Sequence, residues 1–243
     1  MIAFFKLIVY TPLYNGLIFL IGALPWLDIG MAVILFTCLV KLILFPLSQK
    51  ATVTQIKMKQ YEPELKAIKE KYKNDKQAQA RETLKFYKDK NLNPFSSFLT
   101  IFIQIPIIFS LYYIFYGGGL PSVDVSLLYS FVKVPAIAIN MHFLGFMDMA
   151  AKSLPLAVLA GLTQYFQVVY SMPKLAPRAE NASMSEDLAR SMNMQMRYFM
   201  PILVTFIAYG ISGAIALYWT TSNLFSIGQE LYIRRRIAQN EAK

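Results

Sequence analysis

IGMAVILFTCLVKLILFPL, residues 29–47, decides how the rest of this chain is read. The run is long enough to cross a bilayer, whose hydrocarbon core of about 30 Å takes about 20 helical residues. It carries one charge, Lys41. A cation in a span costs about 3 kcal/mol on insertion scales, so an ionisable residue there marks a functional site unless its stem carries the charge out to the headgroups. Lys41 lies nearer the Pro46 end of the run. Helical side chains lean toward the helix N-terminus, however, which directs its ammonium back toward Thr37 and away from the nearer interface. A polar cavity inside the membrane fits this better than snorkelling does.

Outward from this run the composition agrees with it: 56% hydrophobic residues, 16% charged residues and a mean hydropathy of +0.43 belong to a membrane protein. With 29–48 as the first span, four more are predicted at 96–116, 154–172, 198–211 and 213–233, the last two forming a tight hairpin around Gly210 to Gly213. The net charge of +10 is unevenly placed. Twelve of the 24 Lys and Arg fall from Lys50 to Lys90, four (Lys174, Arg178, Arg190, Arg197) between the third and fourth spans, and four (Arg234, Arg235, Arg236, Lys243) after the fifth. The other side receives only Lys6, Lys133 and Lys152, so the positive-inside rule gives an N-out, C-in chain. The basic regions are then cytoplasmic and not nucleic-acid-binding.

Residues 1–28 are apolar but interrupted by Lys6, Pro12 and Asn15, and predict an interfacial helix on the outer surface, with a sixth span over 2–25 as the alternative; either leaves the later spans running in the same directions. They lack the basic start and cleavage site of a signal peptide. Residues 49–95 predict a cytoplasmic helical hairpin: Met58, Tyr61, Leu65, Ile68 and Tyr72 step by three and four, a turn follows at Lys73 to Lys76, and Ala80, Leu84 and Tyr87 share a face of the second helix, with a hinge near Pro63. Residues 117–153, opening on the breaker cluster Gly117 to Pro121, read as an outer-face loop with short interfacial helices, 173–197 as a cytoplasmic loop, and 234–243 as a short basic tail. Cys38 and His142 are each alone of their kind, so no disulfide framework or Cys/His metal cluster is available. No phosphate-binding glycine loop is present, and no cofactor is predicted.

Polar residues recur at helical spacing within the spans: Thr37, Lys41 and Ser48 in the first; Ser97, Thr100 and Gln104 in the second; Gln164, Gln167 and Ser171 in the third; Trp219, Asn223, Ser226 and Glu230 in the fifth. In the predicted orientation all lie between mid-membrane and the cytoplasmic side, while the outer halves are apolar. One such residue is ordinarily an interhelical hydrogen bond worth about 1 kcal/mol. Four helices polar at one depth, around a lysine whose nearest candidate carboxylate is Glu230, predict instead a water-filled groove open to the cytoplasm and closed outside. Lys41, Thr37, Gln104, Gln164, Gln167, Trp219, Asn223 and Ser226 are the candidate substrate-binding residues. No catalytic or metal-binding residue is predicted.

Three long stretches, FTCLVKLILFPLSQK at 36–50, NPFSSFLTIFIQIPIIFSLYY at 93–113 and ALYWTTSNLFSIGQ at 216–229, occur in that order with the basic hairpin between the first two. In them the chain resembles the YidC-type membrane protein insertases, relatives of the mitochondrial oxidase-assembly and chloroplast thylakoid insertases, over about Phe5 to Arg236. It is similar to the short bacterial form without a large periplasmic domain. The resemblance implies an all-α membrane protein with a five-transmembrane-helix insertase core, multi-pass in the bacterial inner (plasma) membrane. It also implies a groove that accepts hydrophilic stretches of a client chain without nucleotide hydrolysis. Lys41 stands where the family carries a positive residue, usually arginine, and Thr37, Gln104, Trp219 and Asn223 fall on positions of the groove or its client-contacting wall. The implied partners are nascent or newly made membrane proteins and the lipid bilayer, with the Sec translocon and the ribosome as further candidates and no specific nucleic acid. A small polytopic channel or transporter is the alternative, but it needs outer access that the apolar outer halves do not offer. A hydrolase built on Ser48 and Lys41 would need two residues seven apart to meet.

Overall fold

The computed structural model describes residues 2–93, 96–115, 119–172 and 184–241, and of 2–3, 96–101, 103, 184–186, 188–189 and 240–241 the backbone alone. The chain starts in one unbroken helix made of α1 (Ile2–Phe5), a π-helical stretch (Lys6–Tyr10) and α2 (Thr11–Ala23). Tyr14, Leu17, Ile18 and Ile21 recur on one face and are buried, whereas Phe4, Leu7, Ile8 and Phe19 are exposed. Asn15 is buried and satisfied by the segment after residue 119: its Nδ2 donates to the Leu127 carbonyl at 2.8 Å and its Oδ1 accepts from the Tyr129 N–H at 2.7 Å. This helix is therefore tied to the loop end of the molecule.

Asp28 starts α3 (Ile29–Ile43) by accepting from the Met31 N–H at 2.8 Å. Pro46 stops it, because proline has no N–H to give and its ring would strike the Leu42 carbonyl in a continued helix. The chain bends by 70° into α4 (Phe45–Gln60). The expected span 29–48 is thus broken at Leu44, and its last residues form the first turn of the next helix.

α5 (Glu62–Lys71) and α6 (Lys76–Asp89) make the expected hairpin, hinged at Tyr61 just before Pro63, with Asp75 capping α6 through the Gln77 and Ala78 N–H groups at 3.0 and 2.9 Å. The seam on α6 differs from the expected one. Ala80 and Leu84 face outward, Leu84 at 68% exposure, while Thr83, Phe86 and Tyr87 are half-buried. Tyr61 meets the Phe86 ring at 6.0 Å, and the Lys90 ammonium lies 4.3 Å from the Tyr61 ring centre. At about 100° per residue, 79, 83, 86 and 90 line up and 80 and 84 sit one step round the helix. Neither helix buries a residue.

The remaining helices are α7 (Ser96–Phe115), α8 (Leu154–Ser171), α9 (Met184–Met194), α10 (Met200–Ile211) and α11 (Gly213–Glu241). α9 runs into α10 through a π-helical stretch (Gln195–Phe199), so the segment expected as the loop 173–197 is helical from Met184 on; 173–183 lie outside the described residues. Residues of the expected tail continue α11 as far as Glu241. α11 packs on α8, α3, α10 and α7, and α8 packs on α10. Between α8 and α10 the approach requires glycine, since a Cβ on Gly161 would stand 1.9 Å from Thr205 Oγ1 and 2.9 Å from the Pro201 carbonyl oxygen.

Residues 119–153 hold a 3-10 turn (Val125–Leu127) and a small antiparallel hairpin of β1 (His142–Phe143) and β2 (Met147–Asp148), in place of the expected short helices. Between Pro121 and Pro135 the run SVDVSLLYSFVKV is dominated by Ser, Asp, β-branched and aromatic residues, which favour turn and extended backbone over helix. The fully buried core lies toward this end of the bundle, with Ile29, Ala32 and Val33 of α3, Leu111 and Ile114 of α7, Ala157 and Ala160 of α8, and Ala214 to Ala216 of α11. Among the described residues Lys6–Ala23, together with the bent α3–α4 pair if it counts as one, is long and apolar enough on its own to cross a membrane.

Candidate functional site

Toward the opposite end, the one bearing α5 and α6, the packed core gives way to a small pocket whose largely apolar wall carries several polar side chains. Its wall is Thr37, Val40, Lys41 and Leu44 from α3, Ser48 from the first turn of α4, Gln104 and Ile107 from α7, and Tyr218 from α11. Lys41, in the last turn of α3, sends its Nζ across to Ser226 Oγ at 3.2 Å, and the Ser226 hydroxyl donates to the Ser222 carbonyl at 2.9 Å. Gln104 Nε2 donates to the Tyr218 hydroxyl at 2.7 Å. Gln229 Nε2 donates to Ser48 Oγ at 2.8 Å, holding α4 over the pocket. Thr37 bonds its own helix at Val33, 2.6 Å away, and so presents its methyl group.

An ammonium has three donors, and Ser226 is the one hydrogen-bond partner Lys41 has among the described residues. No carboxylate there lies within ion-pair distance of it. The pocket therefore holds a cation with donors to spare for water, carbonyl or carboxylate oxygens.

Glu230, the expected nearest partner of Lys41, belongs elsewhere. It accepts from the Ser171 hydroxyl and from Arg234, at 3.0 Å from Nε and 2.6 Å from Nη2, and Arg234 also reaches the Tyr170 carbonyl at 3.0 Å. Lys59 of α4 donates to the Met172 carbonyl at 2.8 Å beside this cluster. Partial burial first, and then the neighbouring Arg234 with a contribution from Arg197, holds the Lys59 ammonium below the ordinary lysine range, against the pull of Glu230 and Glu62.

The same α8–α11 seam claims Asn223, whose Nδ2 lies 3.3 Å from Thr163 Oγ1 and 3.4 Å from the Ala160 carbonyl, and the chain Gln164 to Gln167 to Ser171 at 3.4 and 3.2 Å. Lys41, Thr37, Gln104 and Ser226 are thus brought together as predicted, while Asn223 bonds Thr163 and Ala160 and Gln164 and Gln167 lead to Ser171, both on the α8–α11 seam. Trp219 packs half-buried against the apolar core. The side chains of Ser97 and Thr100 lie outside the described residues. Ser48 lies on the polar stripe of the first span but outside the predicted set, and Tyr218 and Gln229 are further site residues missing from it. The signal for these two is a second polar stripe on α11, Tyr218, Ser222, Ser226 and Gln229, at steps of four, four and three.

The sequence pattern of the 60Kd inner membrane protein family matches residues 21–241, and the chain belongs to that family. It is 34% identical over 211 residues to the membrane protein insertase YidC of Clostridium tetani, covering 87% of this chain and 84% of that protein. To the membrane protein insertase YidC of Francisella tularensis subsp. novicida it is 33% identical over 243 residues, all of this chain but 38% of that protein.

Proposed function

We propose that the chain is a membrane protein insertase that passes client transmembrane segments from the cytoplasm into the bilayer by way of the Lys41 pocket, without nucleotide hydrolysis. The supporting observation is a pocket lysine with unengaged donors, Lys41, beneath a packed apolar core. In this reading α3, α7, α8, α10 and α11 are the five spans, the loop 119–153 is outside and the α5–α6 hairpin is cytoplasmic. Lys41 lies twelve residues after the start of α3, roughly 18 Å deep in a hydrocarbon core of about 30 Å.

A client's polar segment would be solvated there by Lys41, Gln104, Ser48 and Ser226 while its apolar segment stays in lipid. An aspartate left in hydrocarbon costs about 2.5 to 3.5 kcal/mol, which an ammonium and two or three hydroxyl or amide partners can largely offset. Apolar client residues supply the driving force, about 0.3 to 0.6 kcal/mol for each Leu, Ile, Phe or Val. A membrane potential adds roughly 2.3 kcal/mol per negative charge moved outward across 100 mV, positive outside.

The test is reconstitution of the protein alone in vesicles with a single-span client, scored by protease protection of the client's translocated segment. No protection above empty vesicles sinks the proposal. The orientation is checked separately with cysteines at Lys76 and Ser122 in a Cys38→Ser background, which should label from opposite sides with an impermeant reagent.

A further inference from the structure

The hairpin tip in the loop 119–153 combines two features that each work against the fold in water. The Phe146 N–H closes a turn on the Phe143 carbonyl at 3.3 Å, and both central residues have left-handed backbone, Leu144 at φ 52° and Gly145 at φ 81°. That turn selects Asn, Asp or Gly, and leucine at its first central position is strained by its own Cβ. Packing offers no compensation, since Leu144 is 57% and Phe146 72% exposed. Strain retained to present an apolar side chain outward is explained if the medium outside is apolar.

The tip's position says which medium. Asp28 caps α3 with one oxygen and accepts the Leu144 N–H with the other at 3.1 Å; the Ile29 N–H donates to the Asn140 carbonyl at 2.9 Å. Gly30 has no Cβ because the Phe143 ring occupies its place, 2.3 Å from where one would be. Leu144 and Phe146 are thereby fixed level with the first turn of a helix that enters the membrane. Exposed Trp26, Phe131 and Ile137 belong to the same end, with exposed Lys133 and Lys152 among them, the mixture that settles at a headgroup boundary.

We propose that the 142–148 hairpin is a lipid wedge, with Leu144 and Phe146 seated among the headgroups and upper acyl chains of the outer leaflet and Lys133 and Lys152 facing lipid phosphates. This rests on the topology proposed above. Through the Asp28 tether the wedge fixes the height of α3, and so the depth at which Lys41 sits.

The test uses the full chain in the Cys38→Ser background with single cysteines replacing Leu144, Phe146 or Ala150, each carrying an environment-sensitive fluorophore. The protein is placed in vesicles of phosphatidylethanolamine and phosphatidylglycerol containing lipid with a nitroxide either high or low on the acyl chain. Labels at 144 and 146 should emit as in an apolar medium and be quenched at least twofold, more by the high nitroxide than by the low one; the label at 150 should not. Water-like emission from 144 and 146 without lipid quenching overturns the wedge. So does an apolar signal that appears only as protein density rises, which would assign the tip to a second copy. Leu144→Gly should melt in detergent no lower than the parent, because glycine relieves the backbone strain; a lower melting point would make Leu144 a packing residue and overturn the wedge. If Lys76 and Ser122 label from one side the topology fails, yet lipid quenching at 144 and 146 is still read independently.

Discussion

The two ends of the bundle are built from the same helices by opposite choices of residue. At the loop end α3 presents Ile29, Ala32 and Val33, α8 presents Ala157 and Ala160, and α11 presents Ala214 to Leu217, all 5% exposed or less. At the other end these helices present Lys41, Gln164 and Ser226, half-buried and hydrogen-bonded. Small residues let helices close tightly without any polar partner, whereas long polar residues hold them apart and need water or a guest to complete their bonding. The dry end is what allows the wet end to stay open, because the helices are already located by packing before the pocket begins.

The most severe way to break this contrast is to spoil the dry end. Gly161→Leu drives a side chain into Thr205 and the Pro201 carbonyl, a collision involving backbone that should cost about 3 kcal/mol and most of the folded protein. Thermal unfolding in detergent and the yield of monodisperse protein measure it; parental behaviour would mean the packed end does not hold the bundle.

Changing the wet end should instead separate function from stability. Lys41→Ala leaves Ser226 still bonded to Ser222 and removes a charge from the membrane, so the fold should be at least as stable. Insertion of clients with acidic translocated segments should fall about tenfold, equivalent to about 1.4 kcal/mol, and neutral clients should lose less. Lys41→Arg should stay active. Equal insertion of both client types by Lys41→Ala, at matched protein levels, would remove the electrostatic role.

A smaller effect is expected from the hairpin. Replacing 62–90 with a flexible linker should shift bundle stability by no more than about 0.5 kcal/mol, since α5 and α6 bury nothing, while insertion is impaired. The cut belongs after α4 because Lys59 is bonded to the end of α8. Loss of the folded bundle would show that the hairpin is structural.

The least change concerns Lys59. Its charged form is disfavoured in the fold, so the unfolded chain binds more protons below the ordinary lysine value of 10.5, and this residue's contribution to stability rises with pH there. Lys59→Met should flatten that rise relative to the parent when melting temperature is followed into the alkaline range. An unchanged slope would place the ammonium in open water.

Lys41, Thr37, Gln104 and Ser226 were legible in the sequence because each lies on a helix face whose period could be counted from its neighbours. Glu230 and Asn223 were not, since α11 lies between α3 and α8, and a single stripe cannot say which neighbour receives which edge. Tyr218 escaped for the same reason, sitting one residue from Trp219 on the edge turned toward the pocket. The helix from Met184 onward was hidden by charge, its polar face reading as a loop. Pro46 was in plain view, yet hydropathy does not register direction, and an apolar run continues across a bend that ends the helix.

That bend sets the approach to the pocket. With α3 upright, the 70° turn lays α4 within about 20° of the membrane plane, and its sixteen residues, roughly 24 Å long, carry the chain about 22 Å sideways while descending only about 8 Å. The turn thus lays α4 across the end of the bundle, with Ser48 bonded to Gln229 of α11 and Lys59 to the Met172 carbonyl just after α8, and the α5–α6 hairpin starts from there. Under the proposed topology, a client held at the hairpin would exchange a search through the volume of the cytoplasm for one along a surface, and would reach Lys41 from the side.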